Sequence, residues 1–305
     1  MGRGHDHTHA TAAAAHRGRL VVVLAITVTI LTVEVVGAVL SGSLVLFADA
    51  GHMAADAAGI GLALFAVWAA ARPATLARTF GYQRAEILAA VINAVLLFCL
   101  AVFILYEGVR RLLSPPEVAP GVMVAFGVLA VAGNAVSLVL LAPGQRESMN
   151  VRGAFLEVLS DALGAAAVVA AGLVVGLTGY RRADAIASLL IGAAILPRTW
   201  RLLREAVDVL LEATPKGVDL AEVRRHLLEQ PGVDDVHDLH AWTITSGVPV
   251  LSAHVTVDPL VLTDRCGGSL LDMLHACLEG HFDVEHSTFQ LEPAGHREHE
   301  GARHD

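Results

Sequence analysis

A chain of 305 residues that is 55% hydrophobic, with a mean hydropathy of +0.60, lies well above the soluble average and points to the membrane. Its charge is divided: residues 1–204 carry 15 Arg/Lys against 11 Asp/Glu, and residues 205–305 carry 6 against 19, for a net −9. An acidic C-terminal part argues against nucleic-acid binding and suits a domain that attracts cations, although plain solubility would produce the same excess.

Residues 1–18 read as a polar tail in which His5, His7 and His9 alternate with Asp6 and Thr8, a tract able to hold metal loosely or simply to be solvated. No small-residue cleavage signal follows Leu40, so the first apolar run is expected to be a retained helix. Six apolar blocks follow: Leu20–Leu40, Leu44–Ala70, Ile87–Tyr106, Val122–Leu141, Ala154–Leu177 and Ala183–Leu196. Most reach the roughly 20 residues that a spanning helix needs. The last is short and bounded by Pro197, with Trp200 as an interfacial anchor. Residues 19–204 therefore read as a six-helix transmembrane domain. With the N-terminus cytoplasmic, inside segments carry eleven arginines and outside connections only Arg110, Arg111, Arg181 and Arg182, which predicts both termini inside.

The chemistry-bearing stretch is Ala48-Asp49-Ala50-Gly51-His52-Met53-Ala54-Ala55-Asp56 in the second block. On a helix Asp49, His52 and Asp56 project from one face. Each charged group at such depth costs at least ~2.5–3.5 kcal/mol, so these side chains should face a bundle interior or a water path. A buried ion pair or hydrogen bond with a neighbouring helix is the alternative. Glu157 and Asp161 repeat the four-residue spacing in the fifth block, and two facing pairs supply four ligands for one metal ion. For the pairs to lie level, the fifth helix must begin around Ser148–Asn150. Asn93 and Asn134 read as interhelical hydrogen-bonding groups. The Arg72–Arg84 and Pro143–Asn150 loops lack soft ligands.

Residues 205–293 read as one α+β unit: helix Val218–Gln230, strands Val236–Thr245 and Val248–Asp258 around Ser246-Gly247, helix Asp264–Gly280, and strand Val284–Leu291, with residues 294–305 a polar tail. The strands carry His237, Asp238, His240, His254, Glu285 and His286, enough His and carboxylate for a zinc site. Cys99, Cys266 and Cys277 form no CxxC pair and read as free thiols in a reducing compartment.

These residues resemble the cation diffusion facilitators, proton-coupled zinc and cadmium efflux proteins, from about Arg17 to Pro293. The similarity is carried by the Asp49–Asp56 stretch, Phe80-Gly81-Tyr82-Gln83-Arg84-Ala85-Glu86, Asn150-Val151-Arg152-Gly153-Ala154-Phe155, Leu159-Ser160-Asp161-Ala162-Leu163-Gly164, Val209-Leu210-Leu211-Glu212 and His237-Asp238-Leu239-His240-Ala241-Trp242. The resemblance implies a membrane α-helical fold of six transmembrane helices plus a C-terminal cytoplasmic α+β metallochaperone-like domain, assembled as a homodimer. It assigns the transport site to His52, Asp56, Glu157 and Asp161, with Asp49 lining the path, and a cytoplasmic metal site to His237, His254 and His286. Position 157 is usually His in the zinc members. One His with three carboxylates leaves a divalent ion with excess negative charge, which makes Glu157 the expected carrier of the counter-transported proton. Harder oxygen ligands also loosen the preference for Zn2+ over Co2+, Mn2+ or Fe2+, with Cd2+ a further candidate. The implied activity is proton-coupled efflux of a divalent cation by alternating access, in a bacterial inner membrane, without an enzyme's covalent chemistry. No GxxxxGK[ST] loop indicates ATP use, and no HExxH motif indicates a metallohydrolase. The other reading is a membrane-bound metal sensor or scaffold, which would have no use for ligands at bilayer depth.

Overall fold

The computed structural model describes residues 9–145, 149–263, 266–282, 284 and 286–296; His5, His7 and Glu285 lie outside them. Six long helices come first: α1 His9–Ser41, α2 Leu44–Ala70, α3 Ala85–Leu113, α4 Pro120–Leu141, α5 Met149–Thr178 and α6 Arg182–Leu210. Each contains a stretch long and apolar enough to cross a membrane. Side chains such as Val39, Leu64, Leu163 and Leu190 lie on the outside of these helices, an arrangement that suits hydrocarbon rather than water. The chain is an integral multi-pass membrane protein.

Two boundaries differ most from the sequence pattern. Helix α1 begins at His9, inside the stretch read as tail. Helix α6 does not stop at Leu196 but runs through Pro197 to Leu210. Proline removes one i→i−4 bond, but a helix packed among others tolerates the loss because neighbouring groups re-satisfy the backbone. Helix α5 begins at Met149, as levelling the two ligand pairs demands.

Two compact units emerge, one comprising the chain up to Gly61 with Asn93–Arg201, the other Leu62–Ile92 with the chain from Leu202 onward. In the first, α4 packs along α1 and α5. Gly37 of α1 lies against the Phe126 ring and Gly127 of α4 against Val168 and Val169, and a Cβ at either would overlap its neighbour. Small residues thus set the helix spacing where no apolar driving force exists. The connection between α1 and α2 turns at Gly42, whose φ of +69° is costly for other residues. Helix α2 is then capped from a distance: the buried Asp184 carboxylate of α6 accepts from Ser43 Oγ (2.5 Å), Leu44 N (3.0 Å) and Val45 N (3.3 Å). These backbone N–H groups have no partner within the helix, and a carboxylate suits the positive end of its dipole.

In the second unit, helix α7 (Leu220–Leu228) is N-capped by Asp219, strands β1 (Val233–Thr243) and β2 (Pro249–Val257) form an antiparallel hairpin, and α8 (Pro259–Thr263) and α9 (Cys266–Phe282) lead to β3 (His286–Glu292), parallel to β2. The sheet order is β1-β2-β3. Val223 and Leu227 of α7 and Leu270, Leu274 and Leu278 of α9 share one core with Val236, Leu251 and Val255 of the strands. Cys277 is buried in α9, and that burial, reinforced by Glu229, pushes its thiol above the ordinary range. The unit's earlier segment joins through Arg84–Glu212 (2.7 Å) and through Thr245, which donates to Glu86 (2.6 Å).

Candidate metal centre

Helix α2 presents Asp49, His52 and Asp56 on one face, as their spacing requires, and α5 presents Glu157 and Asp161. His52 Nε2 lies 3.3 Å from Asp56 Oδ2. One ligand atom each from His52, Asp56 and Glu157 falls within 4.8 Å of the others, close enough for a single ion to bridge them. Asp161, one turn along α5, is buried but stands outside that group of three; its Oδ1 makes no hydrogen bond. His52 Nδ1 and Glu157 Oε1 are likewise buried without hydrogen-bond partners. Asp56 Oδ2 is also without one; buried acceptors left unsatisfied are costly, and a cation held by His52, Asp56 and Glu157 would relieve that cost.

Arg198, which reads in the sequence only as one of the cytoplasmic-side arginines, joins this site. Its guanidinium, on the part of α6 beyond Pro197, donates to Glu157 Oε2 at 3.2 Å. This fixed positive charge offsets the Glu157 carboxylate and weakens the electrostatic reason for assigning a proton to it. Arginine is charged at any physiological pH.

Asp49 does not reach the three-residue group. It is buried one turn before His52, beside the buried Glu34 of α1 and packed on Gly164 of α5. A cavity of about 610 Å³ connects these levels. It is lined by Asp49, His52, Ser160, Gly164 and Arg198 and reaches Tyr180 in the turn after α5.

The second unit gathers a different group from the one expected. His237 Nε2 lies 2.9 Å from Glu292 Oε1, and His254 Nδ1 lies 3.8 Å from Glu292 Oε2. These three offer ligand atoms within 4.8 Å of one another, two of the residues being buried. His286 is not among them. The parallel β2–β3 register sets His286 against Val250 and Gln290 against His254, so His286 lies four residues away along the strand, edge-on to Phe80. Glu292, two residues past Gln290, faces the pair instead. Asp238 supports it from a β-bulge: its φ of +47° accompanies the register shift between His237 and His240, and its carboxylate reaches His240 (3.0 Å) and His254 (3.8 Å).

Comparison with known proteins agrees with this architecture. Residues 20–211 match the cation efflux transmembrane domain, and residues 215–294 the cation efflux protein cytoplasmic domain. The chain is 44% identical to the metal cation efflux system protein CzcD of Cupriavidus metallidurans over 274 residues, covering 90% of this chain and 86% of the relative. It is 40% identical to the zinc transporter ZitB of Escherichia coli, covering 86% and 83%, and 34% identical to a cadmium, cobalt and zinc/H(+)-K(+) antiporter of Bacillus subtilis, covering 87% and 86%. A solved metal-bound C-terminal domain of CzcD is 41% identical over 25% of this chain and 99% of that one, with a TM-score of 0.23. The chain belongs to the cation diffusion facilitator family of metal cation efflux proteins.

Proposed function

We propose that the protein exports a divalent cation, Zn2+ first among candidates, in exchange for protons by alternating access, with His52, Asp56, Glu157 and Asp161 as the transport site. The observation that carries this reading is the convergence of His52, Asp56 and Glu157 within 4.8 Å of one another, with His52 also lining a cavity among the membrane-spanning helices. Imidazole with carboxylates suits zinc, cadmium and cobalt, the ions in the names of its relatives. Protons and metal compete for the same lone pairs, so a proton gradient would drive exchange at this site without ATP. The buried carboxyls of Asp49 and Glu34 continue the polar path. The proposed setting is a bacterial inner membrane with both termini cytoplasmic, and the working form a homodimer, supported by the match of residues 215–294 to a cytoplasmic domain shared across the family.

Metal uptake into inside-out vesicles under an imposed pH gradient, for wild type and Asp161→Ala, tests this. Gradient-driven uptake that Asp161→Ala abolishes is expected. Binding of zinc without uptake of any ion would overturn transport in favour of a sensor.

A further inference from the structure

A third group of donors lies in the C-terminal unit, away from the strand histidines. Helix α9 sets Cys277 and His281 one turn apart, and α7 brings His226 against them. One ligand atom from each lies within 4.8 Å of the other two. Cys277 is buried, His226 half-buried and His281 exposed, so the group opens to solvent at one end.

We propose that His226, Cys277 and His281 form a separate divalent-metal site that selects thiophilic ions such as Zn2+, Cd2+ or Co2+ over Mg2+ or Mn2+. Three features carry this. First, the donor set is one thiol and two imidazoles, the chemistry such ions prefer, with a fourth position left for water. Second, His281 Nδ1 donates to the Cys277 carbonyl at 3.0 Å. In the neutral ring that bond leaves the Nε2 lone pair for a metal, the arrangement that orients ligating histidines elsewhere. Third, Glu222 Oε1 lies 3.9 Å from His226 Nε2, placed to orient that ring or to occupy the fourth position through a water. On binding, the Cys277 thiol loses its proton to solvent and its sulfur forms the metal bond, so the ion would join α7 to α9.

The competing account is an aromatic cluster: the His226 and His281 rings are 4.9 Å apart and His226 lies 5.3 Å from Phe282. That packing needs no ion, and only a sulfur signature separates the two. The strand group and the transport site contain no cysteine. Cobalt titration of the reduced, full-length protein in detergent should therefore give a sulfur-to-cobalt charge-transfer band. The band should vanish in Cys277→Ser and persist in Cys266→Ser and His237→Ala. His226→Ala and His281→Ala should each weaken the cobalt affinity it reports by on the order of tenfold or more. No band from the folded wild type, or one that survives Cys277→Ser, overturns the site. If Cys277→Ser fails to fold, alkylation of the wild type mapped by mass spectrometry decides the matter. Cadmium should protect Cys277 and leave Cys99 reactive, and equal modification of Cys277 with and without cadmium overturns the proposal. This test depends on donor geometry alone and stands whether or not the protein transports.

Discussion

Arg198 Nη2 of α6 and Glu157 Oε2 of α5 are 3.2 Å apart, and the pair joins the metal-facing carboxylate to a permanent cation. The proposed site of one imidazole and three carboxylates would leave a divalent ion one negative charge in excess, and the guanidinium offsets part of it. The same charge competes with the incoming ion for Glu157 and repels it.

Removing that competitor should tighten metal binding. Both side chains are well exposed, 65% for Arg198 and 37% for Glu157, so the pair itself contributes no more than about 1 kcal/mol. Arg198→Gln should then lower the half-saturating zinc concentration in vesicle uptake by about two- to fivefold, from that same energy, and slow release, seen as a reduced maximal rate. An unchanged or raised half-saturating concentration would show that Arg198 does not oppose the ion.

Elements whose cause is local are legible in the sequence, and those whose cause is distant are not. The six spans are legible because hydrocarbon demands long apolar runs, and the α5 start at Met149 follows from levelling Glu157 with Asp56. The end of α6 is not legible, because Pro197 is a stop signal by every local criterion and only packing lets the helix continue. Arg198 lies on that extension, so by local pattern it is only a cytoplasmic-side charge. In the second unit the strand histidines His237 and His254 were evident. Their carboxylate was not, because a parallel register between strands far apart in sequence decides whether His286 or Glu292 meets them.

That register makes a prediction of its own. Zinc bound to His237, His254 and Glu292 should raise the melting temperature of the full-length protein, by about 2.7 kcal/mol of stabilisation at a hundredfold excess over Kd. Glu292→Ala and His254→Ala should lose this shift, and His286→Ala should keep it. Without metal, Glu292→Ala should already cost about 1–3 kcal/mol, because it removes a buried carboxylate 2.9 Å from a buried imidazole. A zinc shift that depends on His286 and not on Glu292 would contradict the group assigned here.

Asp184 is a structural residue that no motif announces. It is 2% exposed and accepts from Ser43 Oγ and from two N–H groups at the start of α2, with Arg111 3.7 Å away. Asp184→Ala leaves those three donors without their acceptor, at a cost of about 3 kcal/mol, while Arg111 keeps Glu107 at 3.0 Å. Because α2 carries His52 and Asp56, fraying at its first turn should also depress transport. Thermal unfolding of the purified variant checks the first effect, and a wild-type melting temperature would refute it.

The last prediction concerns the contact between α2 and α5. A methyl group at Gly164 would overlap Asp49 Oδ1, and Asp49 is 3% exposed with its second oxygen already lacking a partner. The carboxylate is short and hemmed in, so it cannot swing aside as a surface lysine would. Gly164→Ala should therefore cost about 1–3 kcal/mol by overpacking and displace Asp49 from Glu34. It should also separate α2 from α5, so that His52 and Asp56 no longer meet Glu157, and zinc uptake should fall. Asp49→Ala removes the obstructing atoms. In the double variant Gly164→Ala/Asp49→Ala the stability penalty of the new methyl should largely disappear, giving a coupling of about 1 kcal/mol or more between the two sites. Strictly additive losses in melting experiments would mean that the helices accommodate the methyl by another route, and that Asp49 does not set their spacing.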